Sequence, residues 1–210
     1  MLKNTHTACD LAPAIGIAAT AHLKVYGPGD PGRLEVEDFI SRIYAQRYGA
    51  MLAGFAPTLV GLCDPQQGLV AALGYRAAAG GPLFLERYLN APVEQLLGAG
   101  AAEAPSRDVV VEVGHLAAAR AGEGRRLIMR MGPYLASQGF EWVVSTLTAE
   151  LRHLFLRIGV TPLALGAADP AKLGDAASSW GRYYEHHPVV LAGYLPQALQ
   201  QLARRAEGAV

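Results

Sequence analysis

The sequence predicts an α+β fold, in which helices flank a mixed β-sheet, and a single domain that spans residues 1–210. Its 210 residues suit one domain with a sizeable core. Strand-like and helix-like apolar patterns follow one another, but an early hairpin and a late extra strand interrupt a regular alternation. We expect the core to cover about residues 14–194 and a C-terminal helix to cover 196–206.

The first half of the chain is predicted to contain a strand, a helix and a hairpin. Ala14 to Val25 alternates loosely and ends at the turn cluster YGPGDPG. Apolar residues recur at helical spacing between Glu35 and Tyr48. The apolar runs Thr58 to Cys63 and Leu69 to Arg76 flank typical turn residues, which predicts a hairpin. A short helix is expected to start near Pro92, because proline suits the first helical position.

The second half is predicted to continue with strands and helices in turn. Predicted strands cover 108–115, 140–147, 160–165 and the run VVLAGYL near the end of the chain. Predicted helices cover 122–138 and the residues between Thr148, a potential N-cap, and Gly159.

Charge and cysteine content limit the classes of function. Eighteen basic residues balance eighteen acidic ones, so the total charge does not favour nucleic acid or an anionic membrane surface as a partner. The two cysteines lack the spacing of a metal site, and we predict no metal. No uncharged run has the character of a membrane span, and Asp10 interrupts the N-terminal segment where an export signal would lie. We therefore expect a cytoplasmic protein.

Glu112 is an unusual residue because it lies within a run of valines in a predicted strand. A buried, ionised carboxylate costs several kcal/mol unless it is paired or protonated. Two explanations stay open. The residue is a general base whose pKa is raised by burial, or it forms a structural ion pair with an arginine such as Arg47 or Arg152.

The segment AGEGRRL at a helix start predicts a site for an anion. Gly122 and Gly124 allow a ligand to approach the backbone, and the free amides and dipole of a helix N-terminus attract negative charge. Arg125 and Arg126 add positive charge there. A phosphate or pyrophosphate is the expected ligand, although Leu127 occupies the third glycine position of a dinucleotide-binding motif.

Several segments resemble the thermostable hemolysin family from about Val36 to Tyr194. They are VEVGHLAAA, FEWVVSTLTAELRHLFLRIGVTPLALGAADP, WGRYYEHHPVVLAG, AQRYGAMLAGFAPTLVGLCD and LFLERYLNAPVE. This family is similar to the GNAT superfamily of acyltransferases and to acyl-homoserine-lactone synthases. The resemblance implies a GNAT-like fold and an N-acyltransferase that transfers an acyl group to a small amine by direct attack. Acyl-CoA, the pantetheine of an acyl carrier protein and aminoacyl-tRNA stay open as donors, since Ala119 stands where the GNAT turn carries a basic residue.

The resemblance also implies catalytic roles. Glu112 stands where the fourth strand of acyl-homoserine-lactone synthases carries a glutamate, and we expect the backbone amides of Val113 and His115 to bind the thioester carbonyl. The His115 side chain is a candidate base or oxyanion donor, and Tyr184 or Tyr183 is a candidate to protonate the leaving thiolate. The alternative for each of these three rings is a purely structural packing role.

Four further residues are candidates for substrate binding: Arg47, Thr146, Thr148 and Arg152. Thr148 is explained equally well as a helix cap, and Arg152 as a solvated arginine. A rival to the enzyme hypothesis is a non-catalytic, lipid-binding or membrane-active protein of the hemolysin type, in which the same groove holds a lipid.

Overall fold

A computed structural model describes residues 20–99 and 103–207. The strands within these ranges are β1 (His22–Tyr26), β2 (Thr58–Asp64), β3 (Gly68–Ala77), β4 (Val110–Ala118), β5 (Trp142–Leu147), β6 (Leu163–Ala167) and β7 (Val189–Tyr194). The α-helices are α1 (Arg33–Tyr48), α2 (Val93–Leu97), α3 (Glu123–Ser137), α4 (Ala149–Ile158) and α5 (Leu195–Glu207). The α+β class is confirmed. Part of the strand predicted from Ala14 lies outside the described residues.

The seven strands form one mixed sheet in the order β1-β2-β3-β4-β5-β7-β6. Five of the six neighbouring pairs are antiparallel, and β4 and β5 are parallel. That parallel ladder joins only Val110–Glu112 to Trp142–Val144. Farther along, β4 stays paired with β3 and β5 stays paired with β7. The sheet therefore opens between β4 and β5 directly after Glu112.

A β-bulge lies in β4 beside this opening. Gly74 and Ala72 of β3 oppose Gly114 and Ala117 of β4, so β4 contains one extra residue. His115 absorbs it with φ 55°, a left-handed conformation that residues other than glycine seldom adopt. Strict alternation would place the side chains of Glu112 and His115 on opposite faces of the sheet. The bulge brings both to the face that carries α1.

The sheet is covered on both faces by apolar clusters. On one face, Leu127, Met131 and Leu135 of α3 pack against a cluster that includes Leu62 and Val111. The other face carries two clusters. One joins α1 to the sheet and includes Val36, Phe39, Ile40, Leu59 and Tyr183, and the other joins residues 78–97 to β4, β5 and β7.

The ends of α4 explain why the chain turns where it does. Thr148 caps the first turn by accepting a hydrogen bond from the Leu151 amide at 3.5 Å, and Gly159 ends the helix in the left-handed conformation. Both ends agree with the sequence prediction.

No helix in residues 20–99 or 103–207 is both long and apolar enough to cross a membrane.

Arg107 holds the segment between β3 and β4 in place. Its guanidinium donates to the carbonyls of Ala78 (3.0 Å) and Gly81 (2.9 Å) and to the carboxylates of Glu86 and Glu94. Glu86 also accepts hydrogen bonds from two backbone amides of the same segment. Burial alone would raise the pKa of Glu86, but these hydrogen bonds outweigh burial and lower the pKa below its usual value.

We predict that Arg107→Ala destabilises the fold by about 2–4 kcal/mol, because two partly buried carboxylates and two carbonyls lose their donor together. Since the folded pKa of Glu86 is lowered, its ion pair stabilises the protein above the unfolded value near 4.5 and loses this effect as the pH falls. The penalty should therefore shrink in acid. Urea unfolding at pH 7 and pH 4 measures both effects.

Arg126→Ala is the matched control for this prediction. It removes an exposed pair with Glu123 within α3 and should cost no more than about 0.5 kcal/mol. Equal losses in the two variants would contradict the role of Arg107.

Candidate active site

A cavity of about 500 Å³ lies in the opening between β4 and β5 and reaches both faces of the sheet. On the face that carries α3, its lining is almost entirely aliphatic; we call this part the aliphatic arm. It includes Ile128, Met131, Gly132, Leu135, Leu151, Ile158, Leu195 and Leu199. On the face that carries α1, aromatic and charged side chains line the cavity, and we call this part the aromatic arm. The two arms meet at the edge of β4.

The walls of the aromatic arm are rings that contact one another. They are Tyr44, Tyr48, Phe55, Phe84, Tyr88, Trp180 and Tyr183. Trp180 joins the two sides of the arm, with ring-centroid distances of 6.4 Å to Tyr44 and 5.6 Å to Phe84. The rings themselves suit a flat or apolar group.

Glu112 lines this arm, and backbone amides compensate its charge. One carboxylate oxygen accepts from the Phe84 amide at 2.8 Å and the other from the Leu85 amide at 2.9 Å. These amides open a 3-10 turn, Phe84–Tyr88, whose orientation suits an anion. The predicted ion pair with Arg47 or Arg152 is wrong. Adjacent amides on a neighbouring segment already satisfy both oxygens, and the two arginines lie elsewhere.

The electrostatic state of Glu112 reflects opposing effects. Burial raises the pKa of this carboxyl, and the two amides and Arg76 offset only part of that increase. Each carboxylate oxygen has a further lone pair beyond the one used by an amide. Glu112 therefore combines a raised pKa with free capacity to accept a hydrogen bond from a group in the cavity.

His115 packs within the same chamber as an uncharged ring. Its ring centroid lies 5.5 Å from Phe55 and 6.5 Å from Tyr44. Burial lowers its pKa to about 4, so that the imidazole is neutral at pH 7 and a weak base. Its Nδ1 atom is buried without a hydrogen-bond partner among the described residues. The backbone beside it lines the opening, since Val113, Gly114 and Leu116 all border the cavity.

The tyrosines are arranged differently from the prediction. Tyr88 lines the cavity and its hydroxyl lies 2.6 Å from the Tyr184 hydroxyl, whereas Tyr184 does not border the cavity. Tyr183 borders the cavity, but its hydroxyl donates to the Thr146 carbonyl at 3.2 Å. Burial raises the pKa of Tyr88, which keeps the hydroxyl protonated at neutral pH. Sequence reasoning missed Tyr88, although it lies in the quoted segment LFLERYLNAPVE.

Of the four residues predicted to bind substrate, the structure brings only Thr146 to the cavity. Its hydroxyl oxygen is buried without a partner among the described residues. Thr148 is 1% exposed and serves as the cap of α4. Arg47 pairs with Glu150 on the surface, and Arg152 donates to the His187 carbonyl at 3.2 Å.

The glycine turn before α3 lies beyond the cavity, along the direction of β4. Gly122 is the N-cap with φ 91°, and Arg126 donates the first helical hydrogen bond to the Gly122 carbonyl at 3.0 Å. The amides of Gly124 and Arg125 therefore precede the helical ladder. Arg125 and Arg126 are exposed, and Arg126 pairs with Glu123 at 2.8 Å. In β4 the lining of the cavity ends at Leu116, and in α3 it begins at Ile128.

Across 20–99 and 103–207, no group of three or more His, Cys, Asp or Glu side chains could hold a metal ion.

Solved structures share this architecture at low sequence identity. TofI, in a ternary complex with an inhibitor and MTA, superposes with a TM-score of 0.58 at 19% identity, covering 86% of this chain and 96% of TofI. FeeM, an N-acyl amino acid synthase from uncultured soil microbes, gives 0.55 at 17%, covering 87% and 95%. BjaI, a CoA-dependent acyl-homoserine lactone synthase with SAM and isopentyl-CoA, gives 0.58 at 14%, covering 88% and 89%. These likenesses confirm the GNAT-like fold.

Sequence comparison identifies the family. No curated protein has a significant match to the chain. The family model described as Thermostable hemolysin matches residues 26–199, which extends the predicted range of about 36–194 at both ends. The chain therefore belongs to the thermostable hemolysin family.

Proposed function

We propose that the protein is an N-acyltransferase that moves an acyl group from a thioester to an amine by direct attack. The observation that carries this proposal is the opening of the sheet immediately after Glu112, which exposes the edge of β4 to a cavity with one aliphatic and one aromatic arm. The neighbours described as an N-acyl amino acid synthase and a CoA-dependent acyl-homoserine lactone synthase support the same class of reaction.

The donor is assigned to the aliphatic arm and the glycine turn. A fatty acyl chain suits the Leu, Ile and Met lining, whereas the charged α-ammonium group of an aminoacyl-tRNA would find no compensation there. We therefore favour acyl-CoA or the pantetheine of an acyl carrier protein. We assign the thioester carbonyl to the backbone amides of Val113 and His115, and the donor phosphate to Gly122, Gly124, Arg125 and Arg126.

The reaction converts R–CO–SR′ and R″–NH3+ into R–CO–NHR″, R′SH and one proton. Glu112 accepts a proton from the ammonium, directly or through water, and the neutral nitrogen then attacks the thioester carbon. The C–N bond forms, the C–S bond breaks, the thiolate gains a proton and the nitrogen loses its second one. We assign the proton of the thiolate to the Tyr88 hydroxyl, which is hydrogen-bonded to Tyr184 and regains a proton from the nitrogen, directly or through water. The proton held by Glu112 is the one released. Thr146 is assigned to the substrate because its hydroxyl faces no partner among the described residues.

Calorimetric titration with coenzyme A, a short acyl-CoA and a long acyl-CoA tests the donor assignment. We expect saturable binding that Gly124→Trp removes, because the indole would cover the amides at the helix start. Arg130→Trp is the control, since it places the same ring on an exposed position of α3. Unchanged binding in Gly124→Trp would contradict the assignment of the phosphate to this turn. A complete lack of binding by the wild type would exclude free acyl-CoA and direct the assay to an acyl carrier protein.

Glu112→Gln should lower kcat by about 100-fold or more, since a positioned base contributes on the order of 10²–10⁴ to such a step. The base must be ionised to accept a proton, and the pKa of Glu112 is raised above 4.5. Wild-type activity should therefore fall as the pH drops through that raised pKa, and the Glu112→Gln variant should not show this fall. Stopped assays across pH 5–9 measure both. Glu150→Gln, on the surface, should leave the profile unchanged. Full turnover by a folded Glu112→Gln protein would exclude Glu112 as the base.

Gly132→Phe should restrict the protein to donors with shorter acyl chains. A Cβ at this position would lie 3.3 Å from Leu199 Cδ2, so a ring would fill the aliphatic arm between α3 and α5. We expect kcat/KM for decanoyl donors to fall by about tenfold or more while acetyl transfer is retained, because overpacking excludes the distal methylenes. Gly132→Ala, which adds only a methyl group, should change the preference much less. An equal loss for both chain lengths would contradict the assignment of this arm.

A further inference from the structure

The aromatic arm contains two arginines that none of the roles above requires. Arg76 and Arg87 both line the cavity together with Glu112. Neither forms an ion pair with a carboxylate within residues 20–99 and 103–207. His115 contributes no charge, so these side chains give the arm two positive charges and one negative charge.

Arg76 is held beside Glu112 by the sheet. The two residues are directly opposite each other in the β3–β4 register, which places their side chains on the same face. They do not pair, because Glu112 binds the amides of Phe84 and Leu85 while Arg76 donates to the Pro82 carbonyl at 3.3 Å. That bond occupies one of the five guanidinium N–H groups, and the others are available to a ligand.

Arg87 packs against the ring of Phe84. Its guanidinium carbon is 5.0 Å from the centre of the Phe84 ring, and the residue as a whole is exposed. Stacking on a ring orients a guanidinium while leaving its in-plane donors free. Phe84 thus contacts both Glu112 and Arg87: its amide donates to the Glu112 carboxylate, and its ring packs against the Arg87 guanidinium.

We infer that Arg76 and Arg87 form a carboxylate-binding subsite, so that the acyl acceptor is an α-amino acid whose ammonium group faces Glu112. This inference rests on the proposed function and adds the acceptor class to it. The aromatic walls take the side chain, which favours an aromatic or large aliphatic amino acid.

The charge balance separates this acceptor from a simple amine. An alkylammonium ion would neutralise Glu112 but would leave Arg76 and Arg87 without a carboxylate partner among the described residues. An α-amino acid carries one positive and one negative group a short distance apart. Glu112 and Arg76, which would bind these groups, are direct neighbours across β4 and β3. Arginine binds carboxylates in a bidentate geometry, so the subsite also fixes the direction of the amine.

The test compares acceptors that differ only in the carboxylate. L-phenylalanine, phenylalaninamide and phenethylamine are offered with a saturating acyl donor, to the wild type and to Arg76→Gln, Arg76→Lys and Arg87→Gln. Arg42→Gln is the matched control, because Arg42 also stacks on a phenylalanine, 5.7 Å from the Phe39 ring, but does not line the cavity. An adenosyl sulfonium amino acid is added to distinguish a free amino acid from one that is part of a larger molecule.

We expect wild-type kcat/KM to be about tenfold or more higher for phenylalanine than for the two analogues, since a site built to bind a carboxylate discriminates against ligands that lack one. Arg76→Gln should raise the KM for phenylalanine by about tenfold or more and the KM for phenethylamine much less, and Arg76→Lys should restore part of the loss for phenylalanine. Equal use of phenylalanine and phenethylamine by the wild type, or an equal loss for both in Arg76→Gln, would overturn the inference.

A separate binding experiment distinguishes failure of the inference from failure of the proposed function. If no acceptor gives acyl product with any donor, the acyltransferase proposal fails. Calorimetric binding of phenylalanine that is lost in Arg76→Gln and kept in Arg42→Gln would still support the subsite. No phenylalanine binding to the wild type, with or without coenzyme A, would overturn it.

Discussion

The carboxylate of Glu112 is the interaction on which the rest of the cavity depends. It joins β4 to the 3-10 turn Phe84–Tyr88 through two backbone hydrogen bonds. That turn supplies Phe84 and Tyr88 to the aromatic arm, and the network of Arg107 holds the same segment from its other side. An apolar side chain at position 112 would leave two amides without acceptors, so the residue that faces the cavity also maintains its wall.

The opening of the sheet places a polar backbone edge where it is shielded from bulk solvent. Unpaired N–H and C=O groups at such an edge are costly unless they find partners. Here they border a cavity. Three buried side-chain atoms lack partners among the described residues: His115 Nδ1 and Thr146 Oγ1, both in cavity-lining residues, and Arg152 Nε, which lies outside the cavity. Two of the three polar groups left over by the fold thus lie where a ligand can pair with them.

Local patterns were sufficient to predict most of the elements, and long-range contacts were not predictable. The caps of α4, the hairpin of β2 and β3 and the helical spacing of α1 depend on neighbours in sequence. The caps were found at the predicted residues, and the boundaries of the other elements differ by at most two residues. The bulge at His115 carries no such signal, because the residue that adopts the positive φ is not a glycine. The hydrogen-bond partners of Glu112 could not be predicted either, because Phe84 and Leu85 lie 28 and 27 residues away in sequence.

The site residues show the same division. Thr146 could be identified because it ends a strand beside the opening, and the turn at Gly122 because glycines mark it. Preferring Tyr88 to Tyr184 requires knowing which of the two residues borders the cavity. Sequence alone identifies Arg76 only as the end of a hairpin strand. Such residues are recognised by what they face across the sheet.

The two arms are built from separate parts of the chain and lie on opposite faces of the sheet. The aliphatic arm comes mainly from α3, α4 and α5, whereas the aromatic arm comes from α1, the segments around Phe55 and Phe84, and Trp180 with Tyr183. Substitutions that share no contacts have nearly additive effects. Under the proposed function, acyl-chain preference and acceptor preference can therefore diverge independently during evolution, so that relatives with one arm in common need not share the group that the other arm holds.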